Sequence, residues 1–274
     1  MSESGEPGGY VLGHTAHELE RLQTQARLID PFTRQFFIDA GVEPGMRVLD
    51  VGSGAGDVAF LVGSLVGQSG EVVGVDRSTT AIALANERAR AGSIANVSFL
   101  VSDPFASSFE EPFDAVVGRY VLQFQPDPVA ALRAVATHAR RGGLVAFHEI
   151  DWGGIDSFPP VAAYDQACNW IRGAVLASGT ETRMGIKLMG AFLDAGLATP
   201  SLARRSVVGA GEGAAAVAAL IRDLAGTLRS EIINRGIASA QSFDETISAL
   251  PTEFHDHRTV LIAHSQFCVW DHVD

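Results

Sequence analysis

Apolar and polar positions alternate along this chain with two different periods, and the switches between them set out its architecture. Val48, Leu49 and Val51 form a short apolar run, Gly52, Gly54 and Gly56 follow at once, and Val58, Leu61, Val62 and Leu65 then recur at helical spacing. This predicts a strand, a sharp glycine turn and a helix over about 57–66. The couple repeats: an apolar run at 71–76 precedes a helix from Ser78 to about Ala91, a third strand covers 96–101, and a fourth covers 113–118. Asp127 begins a helix through Val129, Leu132 and Val135 that is expected to end near Arg140, with Gly142 and Gly143 turning into a fifth strand at 144–147. Upstream, Leu19, Leu22, Ala26 and Ile29 make one helical stripe, and Pro31 opens a second through Phe32, Phe36 and Phe37. Downstream come a helix with Tyr164, Cys168, Ile171 and Val175, a helix over 184–195, a strand near 201–208, a stripe of Leu220, Leu224, Leu228 and Ile232 within 212–234, and a last strand over 259–270. Strands alternating with helices predict an α/β fold. The expected organisation is a tail with cap helices at 1–40, a cofactor-binding half at 41–153, and the rest of the core at 154–274, with helical insertions at about 155–180 and 212–250.

A strand that turns through glycines into a helix brings main chain close to a ligand and points helix N-terminal amides at it. In α/β proteins this is the usual seat of a nucleotide-like cofactor. Asp76 ends the second run, EVVGVDRS, at the spacing at which a carboxylate meets an adenosine ribose. Gly54, Gly56 and Ala59 also satisfy G-x-G-x-x-A, so the glycines alone leave NAD open. Asp50 argues the other way. A carboxylate in the last turn of the first strand repels a pyrophosphate but suits a cationic amino group. The ligand that joins ribose and adenine to a cationic amino-acid tail is S-adenosylmethionine.

VLDVGSGAG followed by VVGVDRS resembles the first two motifs of the seven-strand, class I S-adenosylmethionine-dependent methyltransferases, in particular the small-molecule branch similar to the ubiquinone and menaquinone C-methylases. The resemblance extends over SFLVSDPF at 98–105, FDAVVGRYVLQFQPDP at 113–128 and RRGGLVAFHE at 140–149, and covers the chain from Tyr10 to about Asp151. It implies a Rossmann-like sheet of seven strands with helices on both faces and helical lid insertions, and an enzyme that transfers a methyl group to an oxygen, nitrogen or activated carbon of a small organic molecule. Specialised metabolism is one setting for that chemistry. The implied cofactor residues are Asp50, Gly52, Gly54 and Gly56, Asp76 at the ribose, Arg77, and Asp103 with Pro104 at the adenine. N-terminal cap helices in such relatives cover the cofactor, which brings in Tyr10, Arg21 and Gln25. Arg119, delivered beyond the fourth strand, is a candidate for the cofactor carboxylate or an acidic substrate. Ser53 stands where the family often has cysteine, and Gln123 and Phe124 replace a polar or histidine pair.

His148 and Glu149 follow the fifth strand, where a neutral imidazole can take a proton from a hydroxyl or amine and a carboxylate can orient it. His148 is therefore the candidate base, with His14 and His17 joining if the cap helices fold over the pocket. Transfer by alignment alone is the alternative. The competing functions are an NAD-dependent oxidoreductase and a non-catalytic S-adenosylmethionine-binding protein.

Charge narrows the partners. The 274 residues hold 20 basic and 32 acidic side chains, a net charge of -12, so phosphate-rich nucleic acid is an unsuitable acceptor. Hydrophobic content of 47% supports a large core, without a run of about 18 apolar residues to span a membrane. MSESGEPGG lacks the basic and apolar regions of a signal peptide, so a cytoplasmic monomer or homodimer is expected. Cys168 and Cys268 match no metal or redox spacing and are expected as reduced core thiols; no metal site is expected.

Overall fold

Beyond its first residue, β1 (Arg47–Val51) is wholly buried, because apolar side chains face both sides of the sheet that contains it. The computed structural model describes residues 29–251, 254, 256 and 258–274. Residues 29–40 are helical and are called α1; after β1 come α2 (Asp57–Val66), β2 (Glu71–Asp76), α3 (Thr79–Ala91), β3 (Val97–Val101), β4 (Phe113–Arg119), α4 (Pro128–Ala136) and β5 (Ala139–Asp151). Then follow β6 (Asp156–Phe158), α5 (Ala162–Ala177), α6 (Met184–Ala195), β7 (Ser201–Ala210), α7 (Ala214–Thr227), α8 (Arg229–Asn234), α9 (Ala240–Ala249) and β8 (Val260–His272). No helix among the described residues is long and apolar enough to cross a membrane.

The chain divides into two units. One holds 29–149, 184–204 and 266–274; the other holds the described residues of 150–183 and 205–265. In the first unit, β3, β2, β1, β4 and β5 lie side by side in that order and run parallel, and β8 follows β5. This is the Rossmann-like methyltransferase arrangement, and its strand order reverses between β1 and β4, the switch point outside whose carboxyl ends such sheets bind ligands. The two-residue period of each strand sorts the core. Leu49, Val51, Val73, Val116, Val145 and Phe147 pack on one face with Leu132 and Val135 of α4 and Leu188 and Phe192 of α6. Val48, Val72, Ala115, Val117 and Ala146 pack on the other with Phe37 of α1, Val58 and Val62 of α2, and Ile82 of α3. Each such valine, leucine or phenylalanine contributes about 1.5–3 kcal/mol by leaving water.

Local signals explain the helix starts. Ser78 caps α3 by accepting from the Ala81 amide, and Asp127 caps α4 by accepting from Ala130, with Pro128 in the first turn. In the second unit α5 packs against α7, α8 and α9, Trp170 stacks on Phe243, and β6 pairs antiparallel with β8.

Three expectations are corrected. The helix after Asp127 stops at Ala136, and Arg140 to Gly143 belong to β5. The register with β4 jumps from Phe113↔Ala139 to Ala115↔Leu144, so the glycines form a bulge, tied to the C-terminus by Gly142 N–H to Val273 O at 2.7 Å and Val273 N–H to Gly143 O at 2.9 Å. The stripe at 212–234 is two helices with Leu228 between them, where Gly226 and Thr227 weaken a continuous helix. Finally, β6 adds an eighth strand among the described residues; three residues are too few to show a period.

Candidate functional site

Beyond β1 the chain turns through Gly52, Gly54 and Gly56 with φ of 66°, 52° and 92°, a left-handed path that glycine takes without strain. A Cβ on Gly52 would lie 2.9 Å from the Val121 side chain, and one on Gly56 2.6 Å from the Phe99 ring. A Cβ on Gly54 would meet nothing within 4 Å. Gly52 and Gly56 are thus pressed by protein, whereas Gly54 faces open space. The turn is braced from outside by Arg88, which donates to Ala55 O at 2.6 Å and to Asp57 at 2.7 Å. The reach of Arg88 from α3 back to the turn spans 31 to 33 residues and leaves no local pattern.

Three carboxylates stand at the ends of β1, β2 and beyond β3. Asp50 shares the face of Val48, is 1% exposed, and neither of its oxygens has a hydrogen-bond partner. Burial pushes its carboxyl up to about 8; the Arg119 charge works the other way, and Asp76 adds to the rise. Asp76 accepts the Gly54 amide on Oδ2 at 2.9 Å and the Ser78 amide on Oδ1 at 2.8 Å, so it fastens the turn to β2. Asp103 accepts the Phe105 amide at 3.0 Å and the Arg77 guanidinium at 2.7 Å, and the Pro104 carbonyl accepts from His138 Nε2 at 2.9 Å. Arg77 also lies over the Phe105 ring, 5.7 Å from its centroid.

The ends of β4 and β5 are built differently. Arg119 donates to Asp30 at 2.7 Å and to Thr33 at 2.9 Å, both on α1. Tyr120, at φ 59°, donates its hydroxyl to Gln266 Oε1 at 2.6 Å, and burial pushes the phenol well up. His148 is fully buried rather than displayed at a strand end, because β5 continues to Asp151. Its Nε2 lies 2.7 Å from Gln266 Oε1 and its Nδ1 3.2 Å from Thr33 Oγ1, with Phe36 edge-on at 5.0 Å. With the amide oxygen facing it, Nε2 carries the proton and Nδ1 is the acceptor. Glu149 does not orient His148: neighbours on a strand point to opposite faces, and Glu149 instead accepts the Val121 and Leu122 amides at 2.8 and 2.7 Å. Asp30, Thr33 and Gln266 had no signal of their own, because the partners they meet lie 86 or more residues away in sequence. Tyr10, His14, His17, Arg21 and Gln25 lie outside the described residues.

Residues 42–178, half of the chain, match the family described as a methyltransferase domain. The chain belongs to that family. Its place is in the class I S-adenosylmethionine-dependent methyltransferase superfamily. Over 104 residues, 38% of this chain and 47% of the relative, it is 38% identical to aklanonic acid methyltransferase DauC of Streptomyces sp. (strain C5). Over 158 residues, 57% of this chain and 56% of the relative, it is 28% identical to demethylmenaquinone methyltransferase of Lactococcus lactis subsp. lactis (strain IL1403). The chain thus spans about half the length of these curated relatives. The solved structure of YcgJ from Bacillus subtilis shares the fold, with a TM-score of 0.54 at 17% identity over 86% of this chain and 95% of that one.

Proposed function

We propose that the chain binds S-adenosylmethionine and directs its methyl group to an oxygen, nitrogen or activated carbon of a small organic molecule. Asp50 carries the reading. A buried carboxyl without a hydrogen-bond partner, beside a glycine turn at a sheet's switch point, can give up its proton to face a cationic amino group, whereas a pyrophosphate there would only hold it neutral. The relatives' names, with aklanonic acid and demethylmenaquinone in them, support a small organic acceptor.

In this reading Gly52, Gly54 and Gly56 lie along the ligand and Asp50 meets its amino group. Asp76 spends one acceptor site of each oxygen on an amide and keeps another for the ribose hydroxyls. Asp103, Pro104 and Arg77 border the adenine, and Arg119, its charge balanced by Asp30, serves the carboxylate end. When bound, S-adenosylmethionine supplies a methyl group made electrophilic by its sulfonium. The protein's share is to align the acceptor and exclude water, worth about 7–11 kcal/mol when orientation is ideal. In a base role His148 has to take its proton on Nδ1, on the Thr33 side, since Nε2 already donates to Gln266.

Calorimetry with S-adenosylmethionine, S-adenosylhomocysteine and NADH tests the cofactor. The two sulfur compounds are expected to bind and NADH to fail; NADH binding without either would overturn the reading. Incubation with phenols, amines, small acids and quinone-like compounds, scored by S-adenosylhomocysteine formed, then tests transfer.

A further inference from the structure

Glu149 is fully buried on β5, on the sheet face opposite His148. Its Oε1 accepts two successive amides, Val121 and Leu122, while Oε2 has no hydrogen-bond partner. Those amides open a short 3-10 turn, Leu122–Phe124, whose first N–H groups have no partner within the turn itself. Tyr120 swings the chain there through its positive φ, with its own amide bonded to His148 O at 2.9 Å. The Val121 side chain then fills the space that a Cβ on Gly52 would occupy. A carboxylate is a costly choice for so dry a place, and burial pushes Glu149 up to about 7 although the amides pull it down. The same two amides could be accepted by a neutral oxygen.

We propose that Glu149 is a positioning residue of the cofactor site: by drawing the Val121 and Leu122 amides inward it holds Val121 against Gly52 and so fixes the glycine turn beneath the cofactor's amino-acid tail. The inference rests on the cofactor reading above. It separates the two halves of the ligand, because the tail lies over Gly52 whereas the nucleoside is held by Asp76 and Asp103.

The test compares the unaltered chain with Glu149→Gln, Glu149→Ala and Val121→Ala, each first checked for folding by thermal melting. Affinities are measured for S-adenosylhomocysteine and for 5′-methylthioadenosine, which lacks the amino-acid tail. Glu149→Gln is expected to stay within about threefold of the parent for both ligands, whereas Glu149→Ala loses about tenfold or more for S-adenosylhomocysteine and little for 5′-methylthioadenosine. Val121→Ala should repeat that selective loss at about threefold. Parent affinity in Glu149→Ala, equal loss for both ligands, or Gln behaving as Ala each overturns the proposal. If Glu149→Ala does not fold, unchanged S-adenosylhomocysteine binding by Val121→Ala overturns it instead. A parent chain that binds no S-adenosylhomocysteine defeats the cofactor reading, and this inference with it, before any variant is measured.

Discussion

Two parts of one sheet edge hold their polar groups by different means. Where β2 and β3 end, carboxylates bind main chain: Asp76 takes the Gly54 and Ser78 amides, and Asp103 takes the Phe105 amide. Where β4 and β5 end, Glu149 also takes main-chain amides, but the other polar side chains bind side chains brought from far apart, with Thr33 and Gln266 meeting His148 across 115 and 118 residues. The first arrangement depends on a backbone path and spare acceptor sites. The second depends on the packing of α1, β5 and β8 around it. Substitutions on the turn side that leave its packing intact should therefore separate ligand binding from stability, and substitutions at the β4 and β5 ends should cost stability first.

The largest effect is expected where the turn itself is packed. Gly56→Ala adds a left-handed residue and a clash with Phe99 and Phe60, together costing about 2–5 kcal/mol, measured by chemical denaturation. Gly54→Ala breaks the symmetry of that comparison: its Cβ meets no protein atom, so the stability cost is about 1–2 kcal/mol while S-adenosylhomocysteine affinity falls further. Equal effects of the two alanines on both properties would erase the distinction between a pressed and an open glycine. His148→Ala empties a fully buried site and strips a partner from Gln266, for a loss of about 2–4 kcal/mol. Once an acceptor is known, its methyl-transfer rate against pH decides the base role. An unchanged rate and pH profile in the folded variant leaves alignment as the mechanism, and a large rate loss with both ligands still bound supports proton transfer.

The same contrast explains what could be read from the residues. Strand, glycine turn, helix and the Asp76 carboxylate lie within Arg47 to Asp76, where periodicity, φ > 0 glycines and strand-end acids are local properties, and α2 and α6 begin and end at the expected residues. At β5 the local signal misled. Gly142 and Gly143 look like a helix-to-strand turn, but a bulge bonded to Val273 puts them inside the strand, and at the other end the strand runs on to Asp151, so His148 is buried. The partners Thr33, Asp30 and Gln266 are chosen by tertiary packing alone. Arg88 is another such case, since a charged residue on a helix can reach back to a turn that no local pattern connects to it.

Asp76→Ala gives an intermediate effect and tests whether one carboxylate serves two purposes. Removing it leaves the Gly54 and Ser78 amides without their acceptor, so a loss of about 1–3 kcal/mol in stability should accompany weaker S-adenosylhomocysteine binding. Asp76→Asn keeps one acceptor oxygen and should recover part of each. Weaker binding with parental stability would mean that the two amide bonds contribute nothing to the turn.

The most selective effect belongs to Asp50, because it is read as a change of slope with pH. An unfolded aspartate gives up its proton near pH 4, whereas burial holds the folded Asp50 proton to about 8. Between those values the folded chain binds a proton that the unfolded chain does not, so stability falls as pH rises, by at most about 1.4 kcal/mol per pH unit, and Glu149, pushed up to about 7, steepens the lower part of the window. Asp50→Asn should flatten that slope and gain on the parent toward pH 8. A cationic amino group beside Asp50 would favour the ionised carboxyl, so S-adenosylhomocysteine binding at pH 7 should release up to about one proton, and parent affinity should rise from pH 6 to 8. Calorimetry in two buffers of different ionisation enthalpy measures the release. The Asn variant is expected to lose most of it; if it releases as many protons as the parent, they come from another group, and Asp50 is not what meets the cation.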